Sequence, residues 1–350
     1  MAVRRRHFAP KSFRQANTLA FSPLFFQAAL AARNLGVLAA VHEANAEGIS
    51  PHDVASRAGV SLYAARVLLE GCAAVELVTL EAGRYRITDA GRIWLVDEMT
   101  NVNANFIQDV CYRGAFHFEA AVKTGTPAGL QVFGGWPTIY AGLTELPAHV
   151  QTSWYAFDHF YSDGAFPHAL PLVLGPRPKK LLDVGGNTGK WALLCLTQDP
   201  EIEVTILDHA GQLARAREAA AVAGVASRLH THEIDLLDHS RPFPTGFDVI
   251  WMSQFLDCFA EADITRLLQR AKAALAPGGR LCVLESFWDR QATDIGEVIV
   301  QGLSLYFTCM ANGTSRMYHS QDFVDLIASA GLEIVTDESA GGNHTLLTLR

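Results

Sequence analysis

The sequence predicts an α/β protein. A doubly wound sheet of seven strands spans residues 171–350, preceded by an all-α, winged-helix domain over 13–99 and a helical linker over 100–170. Three observations carry this. Lys180–Val184 is a short apolar run containing an acid, followed by the turn Gly185-Gly186-Asn187-Thr188-Gly189 and by apolar residues at helical spacing from Trp191. From Pro176 onward, strand-length apolar runs alternate with helical ones, the rhythm of βαβ units. Between Ser50 and Thr88, capped short helices lead into a two-stranded wing.

Composition narrows the class. The chain has 350 residues, 49% of them hydrophobic and 18% charged, enough for a large core in each of two domains. A net charge of −8 argues against a nucleic-acid surface as the main business. The six cysteines are scattered with no C-x-x-C pair, so buried free thiols in a reducing, cytoplasmic compartment are expected. No run of eighteen apolar residues predicts a membrane span, and Arg4-Arg5-Arg6 reads as a solvated tail rather than the start of a signal peptide.

In chain order, Phe13 to about Asn34 reads as a helix too apolar to stand alone in water, and Leu35–Val41 as a second, short one. Ser50-Pro51-His52-Asp53 is a helix start: a capping hydroxyl, proline in the first turn, and an acid at the third helical position. That helix ends at Gly59, and Ser61 caps the next, whose apolar residues recur at three and four. Val78–Leu80 and Arg84–Thr88 around Ala82-Gly83 form the wing. A winged helix reading DNA would present bases with Arg, Lys, Asn or Gln. The third helix offers Ser61, Tyr63, Arg66 and Glu70 amid Ala and Leu, which favours a protein–protein interface.

The linker is rich in aromatic residues, and Gly125, Pro127, Gly129, Gly134, Gly135 and Pro137 break it into helices on either side of a loop. Trp154, Phe157 and Tyr161 serve equally as core or as the wall of a pocket for a flat apolar molecule, with His117, Asp158 and His159 as candidate polar contacts.

The expected strands are Lys180–Val184, Glu203–Leu207, Arg228–His232, Phe247–Met252, Arg280–Glu285, Leu332–Val335 and Thr345–Leu349, in a parallel sheet, with Pro277-Gly278-Gly279 as the turn feeding the fifth. Ligands of such Rossmann-like sheets sit at the carboxyl ends of the strands, where Asp183, Asp208, Asp235 and Gln254 fall. The glycines let the backbone approach a ligand, and an acid ending the second strand suits the two hydroxyls of a ribose. The unit therefore reads as a nucleoside site, with a ligand-free tight turn as the plain alternative. A dinucleotide loop would want G-x-G-x-x-G, whereas this one reads D-x-G-G-x-x-G. His230 and His232 lack further ligands nearby and read as ordinary strand residues, so no metal is expected.

Residues 13–350 resemble the small-molecule O-methyltransferases that include plant caffeate-type and bacterial polyketide-tailoring enzymes. These are class I S-adenosylmethionine-dependent methyltransferases with an N-terminal winged-helix dimerisation domain. The resemblance rests on five segments in order: the glycine loop, Asp208, Asp235-Leu236-Leu237, Phe247–Gln254 and Pro277–Leu281. It implies a cytoplasmic homodimer with S-adenosylmethionine held at Asp183, Gly185, Gly186, Asn187 and Gly189. The ribose would lie at Asp208 beside His209, adenine between Asp235 and Leu236, and Ser253 and Gln254 close by. It implies a small acceptor against linker residues Trp154, Phe157, Asp158, His159 and Tyr161.

The departures concern the chemistry. Where the family reads L-K-x-x-L-H-D-W, this chain has Met252 to Phe259, so Asp257 replaces the general-base histidine and Ser253 a common lysine. Glu285 fits one of two carboxylates that bracket the base; the other falls near Met317. A phenol titrates near about 10 and an ordinary Asp near about 3.9, a mismatch of some 8 kcal/mol for full proton transfer. Asp257 therefore acts as a tuned base in O-methylation, or orients an acceptor methylated on ring carbon, or belongs to a non-catalytic nucleoside-binding regulator. A nicotinamide oxidoreductase is the further alternative, opposed by the glycine spacing.

Overall fold

A computed structural model describes residues 9–350; the Arg4-Arg5-Arg6 tail lies outside the described residues. The chain forms two compact units, divided after Asn105.

The first unit contains helices α1 (Pro10–Asn34), α2 (Val37–Glu43), α3 (Pro51–Ala58) and α4 (Leu62–Ala74). A hairpin of β1 (Val78–Glu81) and β2 (Arg84–Ile87) follows, then α5 (Asp89–Val96) and α6 (Glu98–Phe106). Local chemistry sets these boundaries. Ser50 Oγ accepts from the Asp53 backbone N–H with Pro51 in the first turn, and α3 stops at Gly59, φ +66°. Ser61 Oγ accepts from the Ala64 N–H at 3.1 Å. The hairpin turns through Ala82 and Gly83, both at positive φ, the geometry that matches strand twist. Leu38, Val41, Ile49, Val54, Leu69 and Tyr85 fill the core. Leu19, Phe21 and Leu24 on α1 remain exposed. No single described helix is long and apolar enough to cross a membrane; α1 and α2 pass that test only as a pair bent by 64°.

The second unit opens with the linker helices α7 (Phe118–Thr124), α8 (Ile139–Gly142), α9 (Ala148–Ser162) and α10 (Phe166–Leu174). The sheet region follows: β3 (Lys180–Val184), α11 (Lys190–Gln198), β4 (Glu203–Asp208), α12 (Ala210–Val222), β5 (Leu229–Glu233) and β6 (Phe247–Ser253). It continues with α13 (Glu261–Ala274), β7 (Leu275–Glu285), α14 (Asp294–Tyr306), α15 (Ser320–Ser329), β8 (Ile334–Ala340) and β9 (His344–Leu349). The strand order is β5-β4-β3-β6-β7-β9-β8. Strands β3 to β7 run parallel, but β9 is antiparallel to both its neighbours, so the sheet is mixed rather than parallel throughout. The reason is the short Gly341-Gly342 connection, which permits a hairpin but not a crossover. Strand β7 starts at Leu275, five residues earlier than expected, and Pro277-Gly278-Gly279 forms a bulge within it rather than a turn before it. Strand β8 lies two to five residues later than expected, because an edge strand tolerates Thr336-Asp337-Glu338, which in sequence resembles loop.

Alternation along the strands gives each face its own core. Leu182, Val184, Ile250 and Met252 pack with α13 and α15. Leu181, Val249 and Trp251 face α11 and α12. Strands β3 and β6 are adjacent although distant in sequence, so the order of winding reverses between them and their carboxyl ends open a crevice.

Candidate active site

The glycine loop leaves β3 at that crevice. Gly185 and Gly189 have φ of +71° and +83°, conformations that disfavour side chains. A Cβ on Gly185 would lie 2.4 Å from the Phe255 ring, and one on Gly186 would lie 2.6 Å from Asp183 Oδ2 and 2.9 Å from Ile206. Glycine here holds the loop down on Asp183 and Phe255, leaving space above it.

That space is a half-open pocket above the loop, lined mostly by polar groups. Asp183, Gly185, Gly186, Asn187, Ser253 and Gln254 line it, as the sequence led us to expect of a cofactor site. Asp158 and His159, expected on the acceptor side, line this same cavity, and Asn187 Nδ2 donates to Asp158 Oδ2 at 3.4 Å. Six buried polar atoms around it have no hydrogen-bond partner: Asp183 Oδ2, Asn187 Oδ1, Trp191 Nε1, Trp251 Nε1, Ser253 Oγ and Gln254 Nε2. Buried polar groups are nearly always paired, so this concentration marks the place of a ligand carrying both donors and acceptors.

The two indoles escaped sequence reasoning. Trp191 stacks on Trp251 at 4.0 Å with an interplanar angle of 11°, forming the floor. Trp191 directly follows the loop, but Trp251 looks like any apolar strand residue, so only the fold unites them. Lys190 and Asp163 form an ion pair at the rim, also unforeseen.

Burial and the charge of Asp208 push the Asp183 carboxyl up to about 8. Asp208, at the end of β4, accepts from the Asn187 N–H at 2.9 Å and the His209 N–H at 2.7 Å. Each oxygen keeps a lone pair for a further donor. These two hydrogen bonds pull against burial, which raises its pKa. Gly189, Asp208, His209, Asp235 and Leu236 do not line this pocket. Asp235 is exposed and accepts from the Leu237 N–H at 2.9 Å, while Leu236 is buried in the sheet core.

A second cluster lies at the turn after β6. Asp257 is 6% exposed, and desolvation pushes it up to about 6. Cys258 lies beside it, its Sγ 3.4 Å from Asp257 Oδ1. Glu285 Oε1 accepts from the backbone N–H groups of Phe255 and Leu256, and the Asp257 backbone N–H also donates to Glu285, so it shapes the turn that carries Asp257. Desolvation and the Asp257 charge raise Glu285 well above the usual carboxylate range. Met317 is buried in the linker core, so no second carboxylate stands there.

Asp158 connects the two clusters. It touches the glycine loop through Asn187, and burial with the charges of Asp163 and Asp257 pushes it up to about 7. Trp154, Phe157 and Tyr161 do not line the cavity. Phe157 stacks on Phe106 at 4.0 Å and meets Tyr161 at 4.9 Å, and Trp154 Nε1 donates to Tyr306 Oη at 2.9 Å. Trp154 and Phe157 belong to a core cluster with Tyr140, Phe307 and Met310. His117 packs edge-on against exposed Phe116. Among the described residues no group of three or more His, Cys, Asp and Glu is placed to hold a metal ion.

Comparison with known proteins decides the family. Residues 176–333 match the model of the O-methyltransferase domain, and residues 13–85 that of the Dimerisation2-like domain. The chain is an S-adenosylmethionine-dependent methyltransferase. Its relatives include the L-tyrosine C(3)-methyltransferase of Streptomyces lavendulae, 26% identical over 82% of this methyltransferase and 78% of that protein. The 3-hydroxy-5-methyl-1-naphthoate 3-O-methyltransferase of Streptomyces sahachiroi is 24% identical over 80% and 78%. Among solved structures, the ligand-free S-adenosylmethionine-dependent methyltransferase SibL superposes with a TM-score of 0.69 at 25% identity, covering 95% of this chain and 97% of that one.

Proposed function

We propose that this methyltransferase acts on the hydroxyl of a small phenolic acceptor, with Asp257 as the proton-accepting group. The observation carrying the reading is the buried Asp257 beside a cavity rich in unpaired polar atoms, the two linked by Asp158. When bound, S-adenosylmethionine supplies an electrophilic methyl group on a sulfonium. The cavity fits that cofactor's amino-acid tail: the indole and Gln254 N–H groups suit its carboxylate, and Asp183 and Asn187 oxygens suit its ammonium. Asp208 retains acceptor capacity for ribose hydroxyls, and the Asp235–Leu236 segment lies two strands away on the adenine side.

The residues then do three things. The glycine loop and indole floor fix the donor, and Asp158 and His159, the linker residues that line the same pocket, hold the acceptor beside it, so positioning supplies much of the rate. Asp257 accepts the hydroxyl proton. At about 6 it lies near the ordinary histidine value of about 6.5, so burial brings it to the basicity of the residue it replaces. Against a phenol near about 10, the remaining gap is about 5 kcal/mol, some 3 kcal/mol less than for an exposed aspartate.

A second reading, methylation of ring carbon ortho to the hydroxyl, is supported by the tyrosine C(3)-methyltransferase relative. There Asp257 would orient the phenol and increase electron density on the ring. Incubation with methyl-labelled cofactor and a phenol panel, followed by NMR of the product, separates the two. A methoxy signal is expected; a ring methyl moves the reaction to carbon, and no product from any phenol removes the acceptor assignment. We also infer a homodimer built through residues 13–85, in which the exposed α1 residues Leu19, Phe21 and Leu24 are covered.

A further inference from the structure

We propose that Tyr140 and Cys258 form an orienting arm for Asp257: the tyrosine hydroxyl donates to the thiol, and the thiol donates to the carboxylate, holding it in one orientation. This rests on the reading of Asp257 as the proton acceptor. The arm is a directional chain of two hydrogen bonds. Tyr140 Oη lies 3.0 Å from Cys258 Sγ, and Cys258 Sγ lies 3.4 Å from Asp257 Oδ1. The thiol's other acceptor within reach is the Gln254 carbonyl, at 4.0 Å and uncharged, so the nearer carboxylate takes the proton's direction. Receiving the tyrosine's hydrogen bond polarises the sulfur and makes its S–H the better donor.

Both ends are anchored. Thr138 caps α8, which carries Tyr140, and the Tyr140 ring stands edge-on to Trp154 at 6.5 Å. On the other side, Asn312 Nδ2 donates to the Cys258 carbonyl, and the Cys258 N–H donates to the Phe255 carbonyl at 3.1 Å. Burial raises both the thiol and the phenol well above their usual values, so each remains a protonated donor across the working range. A thiol one residue from a carboxylate is unremarkable in sequence; the tyrosine 118 residues away makes it an arm.

The charged and titratable groups acting on the arm and on Asp257 are Asp158 from α9, Glu285 from β7, Tyr306 from α14 and Tyr318 ahead of α15. None donates to Asp257, so the donors lowering its pKa are the thiol and the backbone of the turn. Removing the thiol must therefore raise the titration of Asp257.

The test is NMR titration of the ligand-free protein labelled at aspartate carboxyls, with the Asp257 resonance assigned by its loss in Asp257→Asn. Cys258→Ala should raise the Asp257 pKa by about half to one unit, Tyr140→Phe should raise it less, and Cys258→Ser should restore it. With an acceptor found in the phenol panel, Cys258→Ala should lower kcat about tenfold and move its acid limb by the same shift. A purely structural cysteine would lower stability and leave both titrations in place. Unmoved titrations in Cys258→Ala and Tyr140→Phe, with melting points intact, would overturn the arm while leaving Asp257 as base. Full turnover in Asp257→Asn would instead overturn the base reading and the arm with it.

Discussion

The glycine-loop side and the Asp257 side of the crevice are built by different means. On the first, backbone geometry sets the surface: Gly185 and Gly189 adopt positive φ, Gly186 leaves no room for a Cβ, and Asp208 is tied to the loop through the Asn187 N–H. On the second, ordinary side chains are tuned by burial and by partners from remote elements: Asp257 by desolvation, Glu285 by the turn amides, and Cys258 by Tyr140. A binding surface for a fixed cofactor can be rigid backbone. A group that must gain and lose a proton needs an environment that sets its pKa.

If the comparison is right, the loop side breaks hardest. Gly186→Val places a branched side chain against Asp183 and Ile206, and should weaken S-adenosylhomocysteine binding by about 100-fold or more in calorimetry; ordinary affinity would show that the loop does not seat the cofactor.

Asp183 sharpens the same side through proton linkage. Its folded pKa is raised to about 8, so between about pH 4 and 8 the folded, ligand-free protein holds a proton that the unfolded chain has lost, and this site's contribution to stability falls as pH rises. Asp183→Asn should therefore raise the ligand-free Tm by about 7 °C at pH 8 and hardly at all near pH 4. Cofactor affinity of the unmodified protein should rise with pH over the same window, with proton release, because the ammonium favours the ionised carboxylate. A pH-independent affinity would detach Asp183 from the cofactor. The smallest catalytic effect should come from the surface of the first unit. Leu19→Asp with Leu24→Asp should give a monomer in light scattering and change ligand-free melting of the second unit little, if α1 is the dimer face.

Much of the first unit was legible in sequence because its signals are local: Ser50 and Ser61 cap their helices, and Ala82-Gly83 turns the wing. The loop and five parallel strands were legible because apolar runs and glycines specify them directly. Strand β8 was misplaced because its exposed face is polar; the Gly341-Gly342 hairpin that makes β9 antiparallel to it is local, but the insertion of β9 between β7 and β8 is long-range pairing that the sequence does not mark. The site was legible in proportion to its dependence on backbone. Gly185, Gly186 and Asn187 could be named from spacing; Trp251 and Tyr140 could not, since their roles exist only once β6 and α8 are in place. The mismatch expected of Asp257 against a phenol narrows from about 8 to about 5 kcal/mol because burial raises its pKa, and sequence does not show burial.

The most direct test of Asp257 as a buried base is the pH dependence of kcat with a phenolic acceptor, in the unmodified protein and in Asp257→Asn and Asp257→His. We expect an acid limb near 6, where protonation of Asp257 removes the base. Asp257→Asn should lose that limb and about 100-fold or more of the rate, and Asp257→His should retain both a limb and most of the rate. An unchanged rate and limb in Asp257→Asn would contradict the account.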